Sequence, residues 1–246
     1  MKQLSIKAQL AVFLGGFAIA LSYVNKYPGF LLPIVIAVIF ALFFESIVIY
    51  LKERKLKLSQ SALITGLILG FVLYVRQPWW IFALASLFAV LSKYLIRFKG
   101  RHIFNPAAMG IFLSMLLLKA DTQWLGTYIW YIIVPVGLYL IYRIRKLEIL
   151  VGYMVVSFML FGIQAIMQGT HLFNILGYFN YFFIFIMLIE PKTTPIKPMG
   201  KVLFGAGVAV LIFILTNAGA RFDVEIFSLL VLNLFTPALN KIGGRL

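Results

Sequence analysis

The chain has 246 residues, 63% of them hydrophobic and 12% charged, and a mean hydropathy of +1.03. Soluble domains carry about 45–50% apolar and about 25% charged residues, so a soluble globular domain and a disordered chain are both excluded. Lys and Arg number 22 against seven Asp and Glu, a net charge of +15. In a soluble chain that excess would point to nucleic acid. Here the basic residues stand in short loops between apolar runs, so contact with lipid accounts for them and no nucleic-acid partner is expected.

Ten apolar segments follow one another, at about 8–24, 29–51, 61–75, 78–96, 103–118, 127–142, 149–168, 172–189, 201–217 and 225–240. A crossing takes roughly 20 residues, so ten spans use nearly the whole chain as one membrane domain. The expected fold is all-α and polytopic. Ala18-Ile19-Ala20 offers a small-x-small cleavage site after a basic start, but the loop charges fit better if this segment is kept as the first helix. Segments 61–75 and 103–118 are short: 15 residues of helix reach about 22 Å against a hydrocarbon core of about 30 Å. They are expected to be broken helices, or helices flanked by structured non-helical backbone.

With the N-terminus in the cytoplasm, 18 of the 22 basic residues fall in inner loops and four (Lys26, Arg76, Lys119 and Arg221) in outer ones. Removing or adding one span scrambles this split. A multi-pass cell-membrane protein with both termini cytoplasmic is therefore expected. Ten spans divide into halves of five, 1–126 and 127–246, and an odd number per half makes related halves inverted. Phe104-Asn105-Pro106-Ala107 and Phe235-Thr236-Pro237-Ala238 hint at such a repeat, as do Gln77-Pro78 and Glu190-Pro191.

Three stretches could carry chemistry. Asn105 and Pro106 read as N-cap and first helical position, with amides that favour polar or anionic groups. Glu190-Pro191-Lys192-Thr193-Thr194-Pro195-Ile196-Lys197-Pro198 holds an extended backbone whose hydroxyls and lysines could bind a polyol or phosphate. Glu45 lies well inside the second segment, a functional candidate by position or a partner for Lys93. Trp79 and Trp80 sit where interfacial anchoring is the ordinary role. His102 and His171 fall on opposite sides, so haem is not expected. No cysteine is present, which excludes disulfides and thiolate-held iron–sulfur clusters in this chain. No metal-ligand cluster is apparent.

Five blocks in order resemble the RnfD/NqrB family, the membrane subunit of Rnf and sodium-pumping NADH:quinone oxidoreductase complexes. They are Ser61-Ala62-Leu63-Ile64-Thr65-Gly66-Leu67-Ile68-Leu69, Pro78-Trp79-Trp80, and His102-Ile103-Phe104-Asn105-Pro106-Ala107-Ala108-Met109-Gly110. The last two are Glu190-Pro191-Lys192-Thr193-Thr194-Pro195 with Gly200-Lys201-Val202-Leu203-Phe204-Gly205, and Asn233-Leu234-Phe235-Thr236-Pro237. The resemblance implies a ten-helix inverted repeat and electron transfer through flavins. In the family one FMN is joined to a Thr of an S/T-G-A-T motif in an outer loop. Here that loop is residues 119–127, and Trp124-Leu125-Gly126 precede Thr127, so the motif is absent and Thr127 is a weak candidate. The family's Asp is replaced by Glu190.

A non-covalent flavin, FMN or riboflavin, is thus expected among Thr65, Gly66, Asn105, Pro106, Ala107, Glu190, Pro191, Thr193 and Thr194, with Trp80 as a lesser stacking candidate. The resemblance further implies a cytoplasmic flavoprotein or iron–sulfur reductase as donor, quinone or an outer group as acceptor, and other membrane subunits as partners. The competing reading is a transporter or channel for a small polar solute such as a flavin. A scaffold protein without cofactor is a third.

Overall fold

The structure is a computed structural model that describes residues 5–24 and 28–242. Lys2, Lys26 and Arg245 of the charge count lie outside them. The chain is helical almost throughout: α1 Ile6–Val24, α2 Leu31–Glu53, α3 Gln60–Val72, α4 Trp79–Leu95, α5 Pro106–Leu118, α6 Trp130–Ile144, α7 Leu147–Met167, α8 Ile175–Tyr178, α9 Pro198–Asn217 and α10 Val224–Leu239. Arg97–Phe98 and Arg101–His102 pair as a small hairpin, β1 and β2. Its turn residues Lys99 and Gly100 both have positive φ (47° and 80°), as a tight two-residue hairpin turn requires.

Five helical stretches are long and apolar enough to cross a membrane: Ile6–Tyr23, Leu31–Glu53, Leu125–Ile144, Leu147–Met167 and Pro198–Asn217. Residues 60–72, 79–95, 106–118 and 224–239 form shorter apolar helices. Side chains such as Val12, Ile19, Leu32 and Met167 are exposed, at a density that only lipid tolerates. The protein is an all-α polytopic membrane protein.

By contacts the chain forms two units. The first comprises α1 to α5 and residues up to Ile129, without the segment Phe98–Asn105. Small residues let its helices approach closely. A Cβ on Gly66 would stand 2.5 Å from Val38 Cα, and one on Gly110 would stand 2.5 Å from the Ala85 carbonyl. Ser86 donates to the Ala37 carbonyl at 3.0 Å. The short helices α3 and α5 end in non-helical backbone that satisfies itself. Leu73 bridges Thr122, Gln123 N–H donates to the Val72 carbonyl at 2.7 Å, and Tyr74 N–H donates to the Asp121 carbonyl at 2.9 Å. This is the structured flank that two 13-residue helices need where no water can serve their ends.

In the same unit Lys93 pairs with Glu45 and Tyr94 donates to that carboxylate at 3.4 Å. The acid is buried and compensated. A buried ion pair is often replaceable by apolar groups at little cost, so the double variant Glu45→Leu/Lys93→Met is expected to melt within about 1 kcal/mol of the parent. Thermal size-exclusion chromatography in detergent checks this. A large loss would give the pair a role beyond compensation.

The second unit comprises Phe98–Asn105 and residues from Trp130 onward. Helices α7 and α9 are held by reciprocal glycines. A Cβ on Gly152 would meet the Val202 carbonyl at 2.3 Å, and one on Gly205 would meet the Ile149 carbonyl at 2.1 Å. The eighth apolar segment, read from sequence as one span over 172–189, is broken. A 3₁₀ turn (Leu172–Asn174) and the four-residue α8 lead to extended Phe179, and the chain restarts with Asn180 accepting from the Phe183 amide at 3.0 Å. Phe183–Met187 then form a π-helical turn. Residues 182–189 are all apolar and all buried. A segment apolar on every face gives a hydropathy plot no sign of such a break.

Candidate functional site

One end of the second unit gathers family-like blocks. Asn105, 2% exposed, donates its backbone N–H to Asn233 Oδ1 at 2.9 Å and its side-chain amide to the Met187 carbonyl at 3.4 Å. Asn233, fully buried, in turn donates Nδ2 to the Thr193 carbonyl at 3.3 Å. Thr236 Oγ1 donates to the same carbonyl at 2.8 Å. One carboxamide on α10 therefore ties Asn105 to the proline-rich loop.

That loop is built around Glu190. Its carbonyl accepts from Thr194 Oγ1 at 2.7 Å, and its carboxylate accepts from Thr193 Oγ1 at 3.4 Å. Both threonines are buried, so their hydroxyls close the loop as an ST-type turn does. Asn240 accepts from the Ile196 amide at 2.8 Å. Beneath lies Lys146, 5% exposed, donating to the Thr194 and Pro195 carbonyls. A cation inside the fold holds two carbonyls that the prolines leave without helical donors.

Burial, and secondarily the charge of Lys201, pull the Lys146 ammonium down to about 8 from 10.5, against the opposing pull of Glu148. The folded protein thus releases this proton at lower pH than the unfolded chain does. Between pH 8 and 10.5 the unfolded state binds more protons, so the contribution of Lys146 to stability rises with pH. Melting measured from about pH 7 to 10 should show a rise that Lys146→Met abolishes. Equal slopes in the two proteins would contradict the assignment. Lys201 meanwhile pairs with Glu148 at 3.1 Å and donates to the Arg145 carbonyl at 2.7 Å.

The hairpin, the loop after Glu190 and the end of α10 enclose a cleft of about 640 Å³, within the ordinary range of small-molecule sites. Its polar wall includes His102, Thr193, Thr194 and Asn233, and its apolar wall Phe98, Ile103, Leu234 and Pro237. Lys99, Arg101, Lys192 and Lys241 also line it, and no Asp or Glu does. His102 Nε2 is buried without a hydrogen-bond partner; Glu190 Oε1 stands 3.6 Å away, beyond hydrogen-bond range. An unpaired ring nitrogen beside an apolar wall fits a flat, polar-edged heterocycle such as a flavin. Asn105 sits behind this wall, holding it.

Thr65, Gly66, Pro106, Ala107, Trp80, Glu45 and Thr127 belong to the first unit. Thr65 Oγ1 donates to the Ser61 carbonyl at 2.9 Å, and Gly66 packs on α2 as described. Trp80 is 41% exposed at the start of α4. Thr127 follows the bridge that closes α3 and α5, its amide donating to the Trp124 carbonyl at 2.9 Å. Phe104-Asn105-Pro106-Ala107 starts a helix and Phe235-Thr236-Pro237-Ala238 ends one, so these tetrapeptides are not equivalent positions. Of the cations, the sequence singled out only the lysines of the 190–198 loop, Lys192 among them; Lys146, Lys99, Arg101 and Lys241 were not read as site residues. Only the crowding of basic residues into the loops around 97–101 and 143–146, and after α10 at Lys241, could have signalled them.

The sequence pattern of the NQR2, RnfD, RnfE family matches residues 2–128 and 113–244. Curated relatives include a protein of the ion-translocating oxidoreductase complex from Cronobacter sakazakii, 37% identical over 102 residues, which are 39% of this chain and 29% of that protein. Its counterpart from Salmonella arizonae is 37% identical over 106 residues (41% and 30%), and that from Yersinia pestis is 36% identical over 112 (44% and 32%). The matched stretch spans about a third of each relative's length. With three of the ordered blocks joined by hydrogen bonds and the family pattern running nearly end to end, the chain belongs to the NQR2, RnfD, RnfE family.

Proposed function

We propose that the chain is the membrane subunit of a flavin-dependent, Rnf-like electron-transfer system. It takes electrons from a cytoplasmic flavoprotein or iron–sulfur reductase and delivers them to quinone or an outer acceptor, alongside other membrane subunits. The observation that carries this reading is the cleft whose walls are tied together by Asn105, Thr193 and Asn233, residues of three family-like blocks. The proposed cofactor is a non-covalent flavin in that cleft, which when bound would carry one or two electrons. His102 Nε2 would donate to or accept from a ring-edge atom, the apolar wall would exclude water, and the Asn105–Asn233 tie would hold the walls at fixed spacing.

Family membership supports the electron-transfer class, since the relatives are named as parts of an ion-translocating oxidoreductase complex. The hairpin, the 143–146 turn, the 190–198 loop and the end of α10 share one end of this unit through the bonds above. Their basic residues support placing that end on the cytoplasmic side; the proposal that both termini lie there rests on the loop charges of the sequence alone.

The test is a visible spectrum of protein purified in mild detergent, followed by acid denaturation. Near-stoichiometric flavin released by acid is expected. Flavin that stayed on the denatured chain would favour a covalent site such as Thr127. A colourless protein would overturn the reading. The competing transport reading draws on the broken 172–189 segment and the non-helical ends of α3 and α5. It predicts solute uptake into proteoliposomes without a redox partner.

A further inference from the structure

The cleft carries more charge than a neutral ring system needs. Four cations line it: Lys99 and Arg101 from the hairpin, Lys192 from the loop, and Lys241 from the end of α10. None of the four has an ion-pair partner among the described residues, although all seven acids of the chain lie within them. Glu190, the nearest acid to the cleft, is turned to Thr193 and His102. The cations come from three separate chain segments, and Lys99 sits in a two-residue turn with little slack. Phe98, Ile103, Leu234 and Pro237 line it as well, and the Lys99 ammonium lies over the Phe98 ring at 5.6 Å. The cleft therefore combines apolar side chains, four cations and one orphaned imidazole nitrogen.

Like charges gathered around one concavity with no acid among them repel, and a bound anion relieves that repulsion. Arg and Lys together are the usual partners of phosphate oxygens. We propose that the four cations, Lys99, Arg101, Lys192 and Lys241, are a phosphate site that selects a flavin bearing a terminal phosphomonoester over the unphosphorylated nucleoside-like form. This rests on the reading above that the cleft takes a flavin. The ring lies against the apolar side chains, and the phosphate reaches the cations. An ordinary basic membrane loop would show no such selection, because its charges serve only orientation.

The experiment titrates FMN and riboflavin into the detergent-solubilised protein, stripped of its own flavin by dialysis against bromide, and follows the quenching of flavin fluorescence. In parallel, flavin and lipid phosphorus that co-purify are identified by chromatography. One charge-assisted hydrogen bond corresponds to about 10- to 150-fold, so FMN should bind roughly 100-fold tighter than riboflavin, and the preference should shrink with added salt. Arg101→Gln/Lys192→Gln/Lys241→Gln should abolish the preference, bringing FMN affinity down to that of riboflavin. Arg54→Gln/Lys55→Gln, in an exposed basic loop of the first unit, should leave it intact.

Equal or tighter binding of riboflavin, or a preference that survives the triple variant, overturns the phosphate site while the flavin reading stands. Co-purified anionic phospholipid, lost in the triple variant, with no flavin bound at all, overturns the flavin assignment and gives the phosphate site to a lipid headgroup. Absence of both flavin and phosphate overturns both.

Discussion

Gly205→Val is expected to abolish recovery of folded protein. The residue lies where α9 crosses α7, and even a single Cβ there would come within 2.1 Å of the Ile149 carbonyl and 2.8 Å of the Tyr153 amide nitrogen. Those are backbone atoms of a helix, so no rotamer change relieves the contact. The two helices would have to part, and the reciprocal contact at Gly152 against Val202 would open with them. Ordinary overpacking costs about 1–3 kcal/mol; separating the tightest helix pair of the second unit costs more, a large fraction of a typical total stability of about 5–15 kcal/mol. Fluorescence-detected size exclusion should show aggregate in place of the monodisperse peak, with Gly205→Ala intermediate. Gly16→Ala on α1, where a Cβ meets nothing within 4 Å, should be neutral. A monodisperse Gly205→Val protein with parental melting would refute the packing.

Asn233→Leu is expected to give the second-largest loss, and one that reaches the site. The carboxamide accepts from the Asn105 amide and donates to the Thr193 carbonyl. Leucine fills similar volume and supplies neither partner. The Thr193 carbonyl keeps Thr236, but the Asn105 amide is stranded in a buried place. An unsatisfied buried group costs about 1–3 kcal/mol, so a loss of roughly 2–4 kcal/mol follows for the two broken bonds. Asn233→Asp keeps the acceptor and loses the donor, and should fall between. Because the same bonds join residues of the cleft, the flavin proposed above should be lost from both variants before the fold is. Spectra and melting curves on the same samples separate the two effects. Retained flavin in Asn233→Leu would show that the cleft does not depend on this tie.

The broken eighth segment shows where sequence reading stops. Residues 182–189 are continuous in hydropathy with 172–178, and among Asn174, Gly177 and Asn180, the three residues that interrupt the run, nothing singles out Asn180. Its carboxamide oxygen accepts the Phe183 amide as a new helix begins, which is decided by packing of the buried stretch around it. The Glu45–Lys93 pair lay closer to hand, since a buried acid in a membrane helix requires a partner and Lys93 was a nearby basic candidate. The threonines of the 190–195 loop read from sequence as ligand hydroxyls. Their bonds to Glu190 show that a Pro-rich turn with no helical donors uses its own side chains first.

The amino-acid sequence by itself determined the class of protein, the order of its apolar segments, the shortness of α3 and α5, and the family-like blocks. These are one-dimensional properties: transfer free energy, segment length, and local residue order. The tertiary structure decided which blocks meet. It tied Asn105, Thr193 and Asn233 together, placed Lys146 beneath the loop, and gathered four cations around one cleft. The hydrogen bonds of Asn105, Asn233 and Lys146 join residues 40 to 128 positions apart, a separation over which no local pattern records the partner.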